Sequence, residues 1–363
     1  MFITLEGWRA ETMAGKIEQP RIDLFSDTKS RPREAMLQAM MRAETGDEQA
    51  GEDTTTLALC EKVCELLGKE AALFLPSGTM CNQIALAVHC RPGDEIIAER
   101  TSHIINFETG GAAVLARAMI HPIDGERGQF TVDQARRALR PEMRHMPNSR
   151  MIAVEQTANM GGGGVWPLEM LHGLSALTLE NGMVMHMDGA RLINAVVASG
   201  ISAKDYGAAV DTLWIDLSKG LGCPVGAVLA GSEEFIAEAW KWKQRLGGAM
   251  RQSGILAAAG IYALENNVLR MAEDHANAKL FAKSISNISG VSVDVSSVET
   301  NIVIFSVENT ELSAPQIAEQ LLTYGIRVGM INADQIRAVT HLDVDRAGVE
   351  EAAYTMSRIV QNI

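Results

Sequence analysis

Lys219 lies in Leu213-Trp214-Ile215-Asp216-Leu217-Ser218-Lys219-Gly220-Leu221-Gly222-Cys223-Pro224-Val225-Gly226, between an apolar strand-like run and a Gly/Pro turn. A lysine at the end of a rigid strand, beside small residues, leaves room for a planar group to approach its amine. A Schiff-base lysine needs that support, together with an amine whose pKa can be lowered. Lysines before glycines also end ordinary strands and helices, so a structural role stays open on this stretch alone.

Asp188, in Met185-His186-Met187-Asp188-Gly189-Ala190-Arg191, closes an apolar run and precedes glycine, which directs its carboxylate to the sheet edge. It reads either as a cap for a helix over Leu192–Ser199 or as the acceptor that keeps a pyridine nitrogen protonated, as pyridoxal phosphate requires. With Lys219 downstream the cofactor reading leads. Ser77-Gly78-Thr79 follows a strand and opens a helix, where free backbone N–H groups make a phosphate site, although non-binding loops share the pattern. His103 stands just beyond a strand, as a structural residue, a ring lying against an aromatic cofactor, or a proton carrier. Bidentate arginine is the natural clamp for a substrate carboxylate. The candidates are Arg191, three residues past Asp188, and Arg337, on the apolar run Gln335–Val339; an ordinary salt bridge explains Arg191 equally well. Arg251 sits in a glycine-rich turn that can approach an anion or another chain.

These residues need elements to hold them. The pattern predicts a helix over Thr54–Leu67 closed by Gly68, then strands at Ala71–Leu75, Glu95–Glu99, Ala118–Ile123, Arg150–Glu155, Met183–Met187, Thr212–Leu217 and Val225–Ala230. Helices are expected between them, including Thr131–Leu139, Pro167–Asn181 and Leu192–Ser199. That rhythm implies a parallel-type sheet covered on both faces, with functional groups at strand ends. One long helical stretch is expected from about Gly254 to Ser286, and a smaller α+β domain from residue 271. The expected division is an N-terminal extension over 1–22, a large domain over 23–270 and a small domain over 271–363.

At 363 residues the chain has room for two domains, and 47% hydrophobic with 21% charged residues is ordinary for a globular protein. A formal net charge of −13 argues against a nucleic-acid partner. The short run Trp240-Lys241-Trp242-Lys243-Gln244-Arg245 reads as a helix surface or subunit contact. No apolar run has the roughly 18 residues of a membrane span, and the start of the chain does not read as a secretory signal. Five cysteines without regular pairing fit a reducing, cytoplasmic setting. Cys60 and Cys64 share a helix face without a second pair, so no metal site is expected.

Taken in order, IDLFSDTKSRP, GKEAALFLPSGTMCN, HIINFETGGAAVL, HMDGARLINAVVASG, LSKGLGCPVGAVLAG, GGAMRQSGILAAAGIYAL and IRAVTHLD span about residues 22–345. The set resembles the L-threonine aldolase family, pyridoxal-phosphate enzymes of the β-eliminating lyase group. The resemblance implies an α/β, aspartate-aminotransferase-like fold, with a mostly parallel seven-stranded sheet covered by helices plus a smaller C-terminal α+β domain. It implies that Lys219 holds the cofactor, Asp188 the pyridine nitrogen and His103 the ring, with a part in proton transfer. Gly78 and Thr79 would hold the phosphate, with Arg251 reaching it from a neighbouring subunit. Ser26, Arg191 and Arg337 would bind the substrate carboxylate, Arg191 standing beside the cofactor. A homodimer or homotetramer with the site at the subunit interface is implied too. The implied reaction is retro-aldol cleavage of β-hydroxy-α-amino acids to glycine and an aldehyde; β-elimination or dehydration on the same cofactor is the alternative, and a non-catalytic binding protein a third. Two positions depart from the family pattern: Ala158 stands where a histidine is usual, and Ala50 where a tyrosine is usual. Both changes imply a roomier, more apolar substrate side, as for a phenyl substituent, or a changed reaction.

Overall fold

The computed structural model describes residues 19–361, so most of the expected N-terminal extension lies outside the described residues. The chain divides into two compact units, residues 30–272 and residues 19–29 together with 273–361. β1 (Ile22–Leu24) belongs to the smaller unit, because its backbone pairs in parallel with a strand near the C-terminus. Residues 23–29, expected in the large domain, therefore group with the small one.

The large unit is built on β2 (Ala71–Leu75), β3 (Glu95–Glu99), β4 (Met119–Ile123), β5 (Ser149–Glu155), β6 (Val184–Asp188), β7 (Thr212–Asp216) and β8 (Ala227–Gly231), in the order β2-β8-β7-β6-β5-β3-β4. All pairings are parallel except those of β8, which runs against both β2 and β7. The expected mostly parallel seven-stranded sheet is present. Side chains alternate across a strand, and here both sets are apolar. Ile97, Ile152, Val154, Met185 and Met187 enter one core, while Ile96, Ala98, Met151 and Ala153 enter another. A sheet buried on both faces explains why its strands read as continuous apolar runs.

Local signals end the elements where expected. Asp53 caps the helix Thr54–Leu67 by accepting from the Thr56 amide at 2.8 Å, and Gly68 closes it in the left-handed region at φ 65°. The long stretch from Gly254 is instead two helices, Gly254–Asn266 and Met271–Ile285. Asn267 caps the end of the first and donates its side-chain amide to the Leu221 carbonyl at 2.7 Å. Trp240–Arg245 closes the helix Glu233–Arg245, but Lys243 is no surface residue. It is fully buried and ion-paired with Glu48.

In the smaller unit β9 (Ile302–Ser306), β10 (Ile326–Met330) and β11 (Gln335–Val339) join β1 in the order β1-β10-β11-β9. The helix Arg346–Gln361 and the sheet share an apolar core that includes Leu24, Phe305, Val349 and Met356.

Candidate active site

Four neighbouring parallel strands end on an acid: β7 on Asp216, β6 on Asp188, β5 on Glu155 and β3 on Glu99. All four side chains are buried, and each is held by donors from the turn that follows. Asp216 accepts from the Ser218 amide and hydroxyl at 2.7 and 2.8 Å. Asp188 accepts from the Ala190 amide at 3.0 Å. Glu155 accepts from the Asn159 amide at 2.6 Å and the His103 amide at 2.7 Å, and Glu99 from the Thr101 amide at 2.6 Å. This is the carboxyl edge of an α/β sheet, where such folds gather their sites.

Lys219 follows β7 in the turn anticipated from its glycines. Its ammonium is 3.0 Å from Asp216 Oδ2, with the side chain 16% exposed, and 5.7 Å from the centroid of the Trp214 ring. Its carbonyl accepts from the Ser30 hydroxyl at 3.0 Å and the Gly222 amide at 2.9 Å, which fixes the backbone while leaving the amine partly open.

Asn82 ties the next groups together. Its side-chain amide donates to Asp188 Oδ2 at 2.8 Å and Glu108 Oε1 at 2.7 Å. Its carbonyl oxygen accepts from the Trp214 indole at 2.7 Å and faces His186 Nε2 at 3.2 Å. His186 shares the β6 face with Asp188, as its spacing implied. Burial, with His89 nearby, pulls it down to about 3, so it serves as a neutral link. His103 Nδ1 lies 2.8 Å from Glu108 Oε1, and Gln83 adds a short hydrogen bond to the other Glu108 oxygen. Nδ1 is thereby anchored and Nε2 is the ring atom left to exchange a proton. Ligand-type atoms of His103, Glu108 and Asp188 lie within 4.8 Å of one another, with the Asn82 amide donating to both carboxylates.

The electrostatics follow from that packing. Burial pushes the Asp188 carboxyl up, while His103, Lys219 and Asn82 pull it back. Burial and the Asp188 charge raise Glu155 to about 7 against its two backbone donors. Burial depresses His103, but Glu108, Asp188 and Glu155 outweigh it and hold the imidazole above its ordinary value.

Gly78 and Thr79 open the helix Gly78–His89, capped by Ser77 Oγ accepting from the Met80 amide at 3.2 Å. Ser77 and Thr79 are exposed. Gly78 also has a packing duty, since a Cβ there would come 2.2 Å from the Trp214 ring. Arg191 is buried just past Asp188, donating to Asn159 Oδ1 at 3.3 Å. Arg251 is exposed and paired with Asp47 at 2.8 Å. Ala50 lies in the turn beside Asp47. Ala158 is buried, with its amide on the Gly164 carbonyl at 3.1 Å.

Ser26 and Arg337 are in the smaller unit. Ser26 Oγ accepts from the Thr28 amide at 3.2 Å and hydroxyl at 2.9 Å, and Arg337 on β11 donates to the Phe25 carbonyl at 3.5 Å. Sequence reasoning therefore named Lys219, Asp188, His103 and Arg191 but missed the groups that hold them. Of these, Asp216 and Glu155 carried a usable signal, an acid closing a strand; Asn82, on the Gly78 helix, and Glu108, in the loop after the helix His103–Asn106, carried none.

A family model described as β-eliminating lyase matches residues 23–309. The low specificity L-threonine aldolase of Escherichia coli K12 is 43% identical over 334 residues, covering 92% of this chain and 97% of that protein. The low specificity L-threonine aldolase of Saccharomyces cerevisiae is 33% identical over 311 residues, covering 84% of this chain and 79% of its own. The solved structure of Leishmania major threonine aldolase shares the fold, with a TM-score of 0.79 at 21% identity over 93% of this chain and 99% of that one.

Proposed function

Because the chain belongs to the β-eliminating lyase family, we propose that it is a pyridoxal-phosphate-dependent aldolase. It cleaves L-threonine, L-allo-threonine and related β-hydroxy-α-amino acids to glycine and an aldehyde. The observation that carries this reading is the row of Lys219, Asp188 and His103 along one sheet edge, held by Asp216, Asn82 and Glu108. The relatives that bear the aldolase name cover nearly the whole chain.

The residues fit the cofactor. Asp188 is a buried carboxylate whose burial cost is only partly offset, so a cationic ring nitrogen opposite it would be favoured. The exposed N-terminus of the Gly78 helix offers amides to a phosphate. Lys219 holds a partly open amine, and His103 presents a ring whose Nδ1 is already fixed. Pyridoxal phosphate supplies an electron sink for the charge left when the bond beside the amino group breaks.

The chain's own residues then divide the work. Lys219 binds the cofactor through its amine, with Asp216 as counter-ion while that amine is charged. Asp188, oriented by Asn82, keeps the ring nitrogen protonated. His103 Nε2 is the atom that takes or returns a proton, and Glu108 sets which ring nitrogen is free. Gly78, Thr79 and Arg251 are assigned to the phosphate, the last from a second copy of the chain. Arg191 is assigned to the substrate carboxylate, and Ser26 and Arg337 are assigned to it on the family resemblance alone. Ala50 and Ala158 are assigned to the substrate side on the family resemblance alone, where small residues would leave room for a bulky β-substituent such as the phenyl ring of phenylserine. The five free cysteines fit a cytoplasmic setting, and exposed Met41, Leu57 and Ile255 fit a homo-oligomer.

A panel of threonine, allo-threonine, phenylserine and β-hydroxyaspartate, with glycine and ammonia measured together, tests the reaction. The aldolase gives glycine and aldehyde without ammonia. Ammonia with a keto acid would instead identify a β-eliminating lyase or dehydratase, the reading that the two alanines leave open.

A further inference from the structure

Behind Glu155 lies a small cavity, about 10 Å³, lined by Glu99, Ser102, Gly128, Ala158, Glu155 and Trp166 among others. That volume is about what one water molecule needs. Two buried polar atoms of the lining residues have no hydrogen-bond partner: the Ser102 hydroxyl and the Trp166 indole nitrogen. Trp166 is completely buried, held edge-on to Phe130 at a centroid distance of 5.1 Å. Its main-chain amide is bonded to Gln156 Oε1, which leaves the indole N–H as the orphan. Ser102 precedes the short helix His103–Asn106 but makes no capping bond with its side chain. An indole N–H buried with nothing to accept it carries its full desolvation penalty, and native interiors avoid that cost by pairing or by ordered water.

Glu155 has the complementary deficit. Its two oxygens accept from the His103 and Asn159 amides, so when it carries a proton that proton needs an acceptor. The donor-only indole cannot serve. A water in the cavity can: it accepts from the indole, accepts from or donates to the Glu155 carboxyl, and exchanges a hydrogen bond with the Ser102 hydroxyl. That gives three polar partners, the usual number for a buried water.

We propose that this cavity is a built water-binding site, and that the bound water lets Glu155 hold and release a proton directly behind His103. The step hands one proton from the Glu155 carboxyl to the water while the water passes one of its own to solvent past the exposed Thr101, so the water ends neutral and only O–H bonds are exchanged. The groups that face Glu155 are Asp188 on β6, His103 after β3 with its partner Glu108, and Glu99 on β3. Arg127 belongs to the turn that closes over Ala158 and Gly161. Burial and Asp188 both favour the protonated carboxyl, so the exchange falls near neutral pH. None of this depends on which bond the enzyme cleaves.

Two readouts on the cofactor-loaded protein test the site. A crystal structure at high resolution should show one water within hydrogen-bond reach of Trp166 Nε1, Ser102 Oγ and a Glu155 oxygen; a dry cavity overturns the proposal. In 5-fluorotryptophan-labelled protein, the resonance lost in Trp166→Phe identifies Trp166, and that resonance should shift between pH 6 and 8. The shift should vanish in Glu155→Gln, which keeps the shape and one of the two backbone-amide bonds but not the titration, and persist with a changed amplitude in Ser102→Ala. A Trp166 resonance that ignores pH in the parent, or that shifts unchanged in Glu155→Gln, overturns it. Should Trp166→Phe fail to fold, the Glu155→Gln difference spectrum makes the same assignment.

Discussion

Lys219 Nζ lies 3.0 Å from Asp216 Oδ2 across the turn that leaves β7. The pair is three residues apart, and Asp216 is itself fixed by the Ser218 amide and hydroxyl. The amine is held in place without being sealed in. Asp216→Asn removes the charge and keeps the shape. With no cofactor bound it should lose about 3 kcal/mol of stability, the low end for breaking a mostly buried ion pair, measured by urea unfolding at neutral pH. An unchanged midpoint would show that the pair carries no weight.

Asn82 is the hub of the buried polar network, with Asp188, Glu108, Trp214 and His186 all on its side chain. Asn82→Leu keeps the volume but strands Asp188 Oδ2, the Trp214 indole and His186 Nε2, while Glu108 keeps His103 and Gln83. At about 1–3 kcal/mol for each buried group left unsatisfied, the variant should lose at least ~3 kcal/mol. It should also bind pyridoxal phosphate more weakly, read as a higher dissociation constant in a fluorescence titration.

Glu108→Gln tests the imidazole. Burial depresses His103, but Glu108, together with Asp188 and Glu155, more than offsets it and holds the imidazole above its ordinary value. A raised pKa means the folded state binds more protons than the unfolded one. That contribution to stability is complete below the unfolded value near 6.5 and is lost as pH rises through the folded value. In Glu108→Gln the His103 midpoint, followed by NMR, should fall by about one pH unit. The alkaline loss of stability that it produces should shrink.

The Lys243–Glu48 pair is buried, Lys243 completely so, and Glu48 also accepts from the Met250 amide at 2.8 Å. Lys243→Met alone should cost about 3–5 kcal/mol by leaving a buried carboxylate unpaired. The double variant Lys243→Met with Glu48→Leu should recover most of that. Equal losses in single and double variants would mean that packing, not charge, carries the cost.

Much of the fold could be read from the sequence, because its strands are apolar on both faces and its helices are closed by Asp53, Ser77, Gly68 and Gly200. Ala71–Leu75 and Glu95–Glu99 stand where the alternation put them. The reversed direction of β8 has no local signal, since direction is set by pairing with β2 and β7 and not by composition. The parallel pairing of β1 is equally invisible, for three residues acquire a partner about 300 positions away. At the site, Lys219 and Asp188 were legible because their flanking glycines and strands announce them. Lys243 was not, because a lysine among tryptophans on a helix looks like surface until Glu48 arrives from a distant loop. Asn82 and Glu108 escaped for a similar reason: their role is to hold other residues, which only the packed geometry reveals.

The most direct test of the account is to find the residue that carries the cofactor. Protein reconstituted with pyridoxal phosphate is reduced with borohydride, digested and mapped by mass spectrometry. The pyridoxyl mass should fall on Lys219 alone, and Lys219→Ala should take up no label and release no glycine from threonine. A label on any other lysine, or cleavage at the parent rate by Lys219→Ala, would contradict it.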